Sequence, residues 1–364
     1  MLIVGRLVQG GFGALLIPQG MGILIAAFSR DQMRRAFGLF GPAMGGSAVL
    51  GPILAGFIID ADIGGEGWRP VFLINIVLGA VGLVVAIRVL PHDQRASDTP
   101  IDGLGAGLLG ATMFGLLYGL IEGSTDGWTT VPIVTLVMGA VMFVGFGIRQ
   151  YAAANPLILP SLLANRGFTS GLLLGLGFFS AVNGLAYVIS LFFQTALGLK
   201  PAAAALGMAP LMVGIIAASF VGRPLIEKLG RTLVALGLVI TVAGAGGIWA
   251  TVAVSGTDVS RWALAPSLLV LGAGMGACFS SIYDVAIGDV SHAEAGSASG
   301  TLSAVQQLAA GIGSAVVTTV YFSQQAHHGA SHAMTVSVAV VGAIALLCFA
   351  LVWLLPERAP SEEH

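Results

Sequence analysis

The chain has 364 residues, of which 56% are hydrophobic and only 9% are Asp, Glu, Lys or Arg, with a mean hydropathy of +0.95. A soluble domain carries about 25% charged residues, so a soluble enzyme or carrier is excluded: too few charges exist to cover its surface. The formal charge of −2 gives no footing to nucleic-acid binding.

Glycine is abundant at 53 residues, more than twice its usual share of ~7%. Small residues let helix backbones approach closely where lipid supplies no hydrophobic drive. A span needs ~20 mostly apolar residues to cross ~30 Å of hydrocarbon. Eleven segments qualify, at about 1–28, 36–59, 70–90, 103–122, 131–150, 168–195, 203–222, 232–254, 262–288, 296–322 and 333–355. The first opens directly on Met1-Leu2-Ile3-Val4, without the charged lead-in of a secretory signal; the chain reads as beginning inside a helix. Cys278 and Cys348 fall within apolar segments and read as small core residues rather than a disulfide.

Of the 15 Lys and Arg residues, eleven fall in alternate connections and the C-terminal tail: Arg30, Arg34, Arg35, Arg88, Arg95, Arg149, Arg166, Arg223, Lys228, Arg231 and Arg358. The opposite set holds only Arg69, Lys200 and Arg261, and Arg6 lies within the first span. By the positive-inside rule the C-terminus is cytoplasmic, in a multi-pass protein of the plasma or inner membrane.

Two connections divide the chain. Residues 91–102, with Pro91, His92, Asp93, Asp98 and Asp102, read as a polar cytoplasmic linker. Residues 151–167 hold Pro156 and Pro160 and are too short for a span, so they read as a segment lying on the membrane surface. The expected division is three spans over 1–90, a central unit over 91–167 with two extra spans, and six spans with a short tail over 168–364. Gly11-Phe12-Gly13-Ala14 is echoed by Gly274-Met275-Gly276-Ala277, a weak sign of the internal repeats from which many transporters are built.

The motifs narrow this further. Gly5-Arg6-Leu7-Val8-Gln9-Gly10-Gly11-Phe12-Gly13-Ala14 followed by Pro18, then Gly38, Ser47, Gly51-Pro52 and Ala55-Gly56, then Trp68-Arg69-Pro70, resemble three successive helices of the major facilitator superfamily. Asn155-Pro156-Leu157 through Phe168, the turn from Arg223 to Arg231, and Ala295 to Gly300 continue the likeness in order. More narrowly the chain resembles the 14-spanning drug:proton antiporters. That resemblance implies an all-α polytopic fold, numbers the spans as helices four to fourteen, and leaves the first three helices outside the sequence. It implies export of amphipathic small molecules in exchange for protons by alternating access, with no enzymatic activity and no cofactor. The implied partners are the lipid bilayer, protons and the substrate, with a monomer expected from the fold alone.

Candidate residues follow. Arg6 is a costly cation inside a span. The resemblance assigns it to proton coupling, where a permanently charged guanidinium biases a neighbouring carboxylate; the alternative is a side chain snorkelling to the interface. Asp284 and Glu122 are the carboxylates available to carry a proton, against the plainer reading of acids at helix ends. The antiporter motif falls on Gly38, Ser47, Gly51, Pro52 and Gly56, with Pro52 kinking the helix. Gln19, Asn75, Asn183, Tyr187, Gln194, Gln306 and Gln307 are cavity candidates, or helix–helix glue. Met113, Met138, Met142, Met208, Met212 and Met275 suit either an adaptable site or packing. Arg223, Glu227, Lys228 and Arg231 read as a cytoplasmic latch, or as simple anchoring. His327, His328 and His332 are expected in the last external loop, solvated rather than holding metal. No phosphate-binding GxxxxGK[ST] loop is present, so direct ATP drive is not expected. Two further readings compete with export: a sugar or metabolite transporter of the same fold, and a non-functional N-terminally truncated fragment.

Overall fold

Each long apolar run among the described residues forms a helix, because in lipid every backbone amide and carbonyl must be satisfied within its own segment. The computed structural model describes residues 53–89, 102–125, 127–287 and 294–355, with Gly51, Val290 and positions 5, 8–13 and 16 of the first segment. The stretch 53–60 is helical. The helices that follow are α1 (Pro70–Val89), α2 (Gly103–Thr125), α3 (Thr130–Ala152), the short α4 (Pro160–Ala164), α5 (Arg166–Leu191), α6 (Pro201–Leu229), α7 (Arg231–Ser255), α8 (Ala265–Ile287), α9 (Ala295–His328) and α10 (Ala330–Leu351). Among the described residues there is no strand, and eight helices are long and apolar enough to cross a membrane. These eight and α8 correspond to nine of the eleven expected segments; most of 1–28 and 36–59 lies outside the described residues.

Helices α5 to α10 share one core. Helix α5 lies at its centre, with Phe178, Phe179, Leu185, Val188 and Phe192 all almost fully buried. Glycines set the spacing. Gly184 of α5 and Gly313 of α9 face each other so closely that a Cβ on either would strike the opposite backbone. Helix α8 is wedged between two neighbours: Gly272 and Gly276 meet the backbone of α6, while Gly274 on its other side meets Thr241 of α7. The GMGA run therefore serves helix packing. Cys278 and Cys348 are free, buried thiols, as expected.

Helices α2 and α3 form a hairpin held by the same device. A Cβ on Gly115 would stand 2.7 Å from the Cα of Gly139, and one on Gly139 2.7 Å from the amide of Leu116. Leu117 of α2 seats against Gly311 of α9, which docks the hairpin on the six-helix core. Helix α1 buries none of its residues.

His327, His328 and His332 are not in a loop: no Gly or Pro interrupts residues 314–328, so α9 runs to His328, and Gly329 alone (φ 84°, ψ 169°) breaks it from α10, whose first turn holds His332. The segment expected at the membrane surface, residues 151–167, also packs inward. Leu162 is buried with Phe168, Ala298 and Leu302, so the segment packs onto the first turns of α5 and α9.

Candidate functional site

The site forms where the stretch 53–60 meets the ends of α5 and α6. Helix α5 closes with a π-helical turn, Phe192–Ala196; one extra residue per turn re-aims the side chains beyond it. Phe192 and Phe193 stay in the core while Gln194 is exposed. The Gln194 carboxamide nitrogen donates back along the helix, 3.3 Å from the Ser190 carbonyl and 3.2 Å from its hydroxyl. Helix α6 then starts at Pro201, whose fixed φ and missing N–H suit a first helical position.

Gly56 fits against that start. A Cβ there would lie 2.7 Å from the Cα and 2.9 Å from the amide nitrogen of Ala202, so only glycine permits the approach. Beside the crossing is a cavity of about 240 Å³ lined by Ile53, Ile59, Ser190, Gln194, Met208 and Met212, with Gly56 and alanines at its wall. It is a small apolar space with one carboxamide and one hydroxyl. Its lining suits reversible contact: thioether side chains adapt to a changing surface, and a backbone crossing held by small residues leaves few side chains to repack when it separates.

The sequence reading named Gly56, Gln194, Met208 and Met212 separately, and the fold brings them to this one cavity. Other candidates are elsewhere. Asn183 is half-buried and donates to the Phe179 carbonyl of its own helix at 2.8 Å. Tyr187 and Asn75 are exposed on α5 and α1, Gln306 and Gln307 lie on α9, and Glu122 is half-buried in the last turn of α2. Met138 is exposed and Met275 buried in the core; Met113 and Met142 are half-buried on α2 and α3. Gly51 is exposed. Arg6, Gln19, Gly38, Ser47 and Pro52 lie outside the described residues, as do the side chains of Asp284, Arg223 and Glu227. Among the described residues no cluster of His, Cys, Asp and Glu has the makings of a metal site.

At the opposite end of the helices, polar contacts absent from the sequence reading tie the segments together. Arg149, ending α3, pairs with Asp102, which opens α2: its Nη2 lies 3.0 Å and its Nε 3.1–3.2 Å from the carboxylate oxygens. Asp102 also accepts from the Gly105 amide at 3.1 Å. The guanidinium and that amide hold its carboxyl below the usual carboxylate range. The Ser297 hydroxyl donates to the Leu157 carbonyl at 2.6 Å and accepts from the Leu159 amide at 3.3 Å, and Ser161 donates to Glu294. This clasps residues 157–161 to the start of α9. The charged turn expected from Arg223 to Arg231 is mostly helix: residues 223–229 belong to α6, with Lys228 exposed in its last turn, and Gly230 alone separates α6 from α7. Arg231 donates to the Leu355 carbonyl at 3.3 Å and lies over Trp353 at 5.1 Å. In the sequence only the Pro156 and Pro160 spacing set one of these segments apart.

Residues 1–314 match the family profile described as Major Facilitator Superfamily. The chain is 38% identical over 327 residues to a probable actinorhodin transporter of Streptomyces coelicolor, covering 88% of this chain and 57% of that protein. It is 29% identical over 329 residues to the tetracenomycin C resistance and export protein of Streptomyces glaucescens, covering 89% and 59% respectively. A methylenomycin A resistance protein of Bacillus subtilis is 29% identical over 360 residues, covering 97% of this chain and 74% of the relative. The chain thus spans less than two thirds of the length of the first two.

Proposed function

Because this chain belongs to the Major Facilitator Superfamily, we propose that it is part or all of a secondary transporter that exports amphipathic small molecules in exchange for protons. The observation that carries the reading is the crossing of Gly56 over Ala202 beside the cavity of Gln194, Met208 and Met212. In this reading the crossing is a gate: it closes one end of the path between the stretch 53–60 and the six-helix core, and opens in the alternate state. The similarity to an actinorhodin transporter, a tetracenomycin C resistance and export protein and a methylenomycin A resistance protein supports a drug-like substrate class.

The three-part division at residues 90 and 167, a cytoplasmic C-terminus, a 14-span family layout and a monomer belong to the same proposal. Proton coupling falls to Arg6 with Asp284 or Glu122. The group Arg223, Glu227, Lys228 and Arg231, at the junction of α6 and α7, is the latch at the end remote from the gate. Efflux of a fluorescent amphipathic dye from cells producing the chain tests the reading. A protonophore should abolish efflux, whereas efflux that persists without a gradient refutes proton exchange.

A further inference from the structure

A second and larger cavity lies away from the gate, in the crevice between α7 and α10. It measures about 680 Å³ and is bounded by Trp249 and Ala253 on α7, Ala339 and Ala343 on α10, and Ser331 and His332 at one end. It shares no helix with the gate cavity. Its origin is local: Ala253, Gly256, Ala339 and Ala343 are too small to fill the crevice, while Ser337 and Val341 on the inner side of α10 are fully buried in the core. Trp249 is 48% exposed, so the crevice opens sideways onto the surface that faces lipid.

Its polarity is graded. From Ser331 to Ala343 is twelve residues, or ~18 Å of helix, close to one leaflet of a ~30 Å hydrocarbon layer. The deep portion is alanine and valine. The mouth carries hydrogen-bond donors: the Ser331 hydroxyl, the His332 imidazole, and the first amides of α10, which no side chain caps. The His328 ring stands 4.8 Å from that of His332. Thr335 donates to the His332 carbonyl at 2.8 Å, so it presents only an acceptor. No carboxylate lines the cavity; the nearest in sequence, Asp258, lies two residues beyond Gly256 on the adjoining turn. Donors at the interface depth over an apolar slot one leaflet long match a phosphate above an acyl chain. We infer that the α7–α10 crevice binds one glycerophospholipid, its phosphate at Ser331 and His332 and one acyl chain between Trp249 and Ala343. In the orientation set by the basic residues this is a lipid of the outer leaflet. A transported drug fits less well, because the slot opens to the bilayer side and not toward the helices that form the gate.

Native mass spectrometry of the purified full chain tests this with palmitoyl-oleoyl phosphatidylglycerol, the matching phosphatidylethanolamine, and the matching diacylglycerol. Both phospholipids should be retained, since the phosphate is shared, and diacylglycerol should bind at least ~10-fold more weakly, the loss expected from one charge-assisted site. Ala339→Trp, which fills the slot from its exposed side, should remove one bound phospholipid, with unchanged thermal unfolding showing that the fold is intact. Ser331→Ala with His332→Ala should erase the preference for phospholipid over diacylglycerol. Equal retention of all three lipids by the native chain overturns the phosphate assignment. Unaltered lipid count in Ala339→Trp overturns the site, and displacement of the lipid by a cationic dye at its transport concentration makes the crevice a substrate site instead.

Discussion

Replacing Gly56 by alanine probes the gate at its tightest point. The added methyl carbon would stand 2.7 Å from the Cα of Ala202, whereas non-bonded carbons settle at about 3.5–4.0 Å. The shortfall is roughly 1 Å. The obstructing atoms are backbone, so no side-chain rotation relieves it, and the stretch 53–60 must move away from the first turn of α6. Overpacking of this kind costs about 1–3 kcal/mol, and here the cost falls on the closed gate and not on the open one. A bias of that size shifts a two-state equilibrium by roughly 5- to 150-fold. The reporter is a Met208→Cys variant, because Met208 lines the cavity and is partly covered. Adding Gly56→Ala should raise its labelling by a membrane-impermeant maleimide by about that factor, from the side that the 61–69 turn faces. Unchanged labelling, in protein that inserts and folds normally, would refute the steric argument and with it the gate.

Other perturbations act on the remaining joints. Asp102→Asn removes the anion that Arg149 and the Gly105 amide hold, so hydrogen exchange in the first turn of α2 should quicken while the core of α5 stays protected. The native Asp102 carboxyl is held below its ordinary value. Its contribution is therefore present above the usual carboxylate pKa near ~4 and is lost as pH falls through the lower folded value; the same amides should quicken only in that acid range. Ser297→Ala strips a partner from both the Leu157 carbonyl and the Leu159 amide, which are only half-buried, so each loss should cost about 0.5–1.5 kcal/mol. Protease cleavage between 153 and 165 should rise accordingly. Gly115→Ala forces α2 and α3 apart against the 2.7 Å contact with Gly139 and should cost about 1–3 kcal/mol in thermal unfolding of the solubilised protein. A variant as stable as the native chain would show that this hairpin spacing is not tight.

The helices were readable because hydropathy over ~20 residues is a strong and local signal. The boundary at the breaker Pro201 followed, and others failed: the charges from Arg223 suggested an end at 222, yet α6 runs to Leu229, and the His327-His328 pair looked polar enough for a loop, yet nothing before Gly329 stops α9. Side-chain destinations were less legible. Asn183 and Gln194 were read as equivalent amides, and both donate to a carbonyl four residues back, yet only Gln194, in the π turn, lines the cavity, and hydropathy carries no mark of an extra residue per turn. The Asp102–Arg149 pair spans 47 positions and the Ser297 clasp 138 and 140, separations that only the packed glycines of the hairpin and bundle bring together. Gly56 was legible through its motif, and its partner Ala202, an unremarkable residue in an alanine run, was not.

Gradient-driven transport by the native chain tests the central claim most directly. Everted membrane vesicles containing it, acidified inside, should accumulate an amphipathic fluorescent dye, lose that accumulation when nigericin collapses the pH gradient, and keep it when valinomycin removes only the electrical potential. Arg6→Ala should equilibrate the dye downhill without accumulating it. Accumulation that survives the loss of the pH gradient, or none at all with the protein folded in the membrane, would contradict the account.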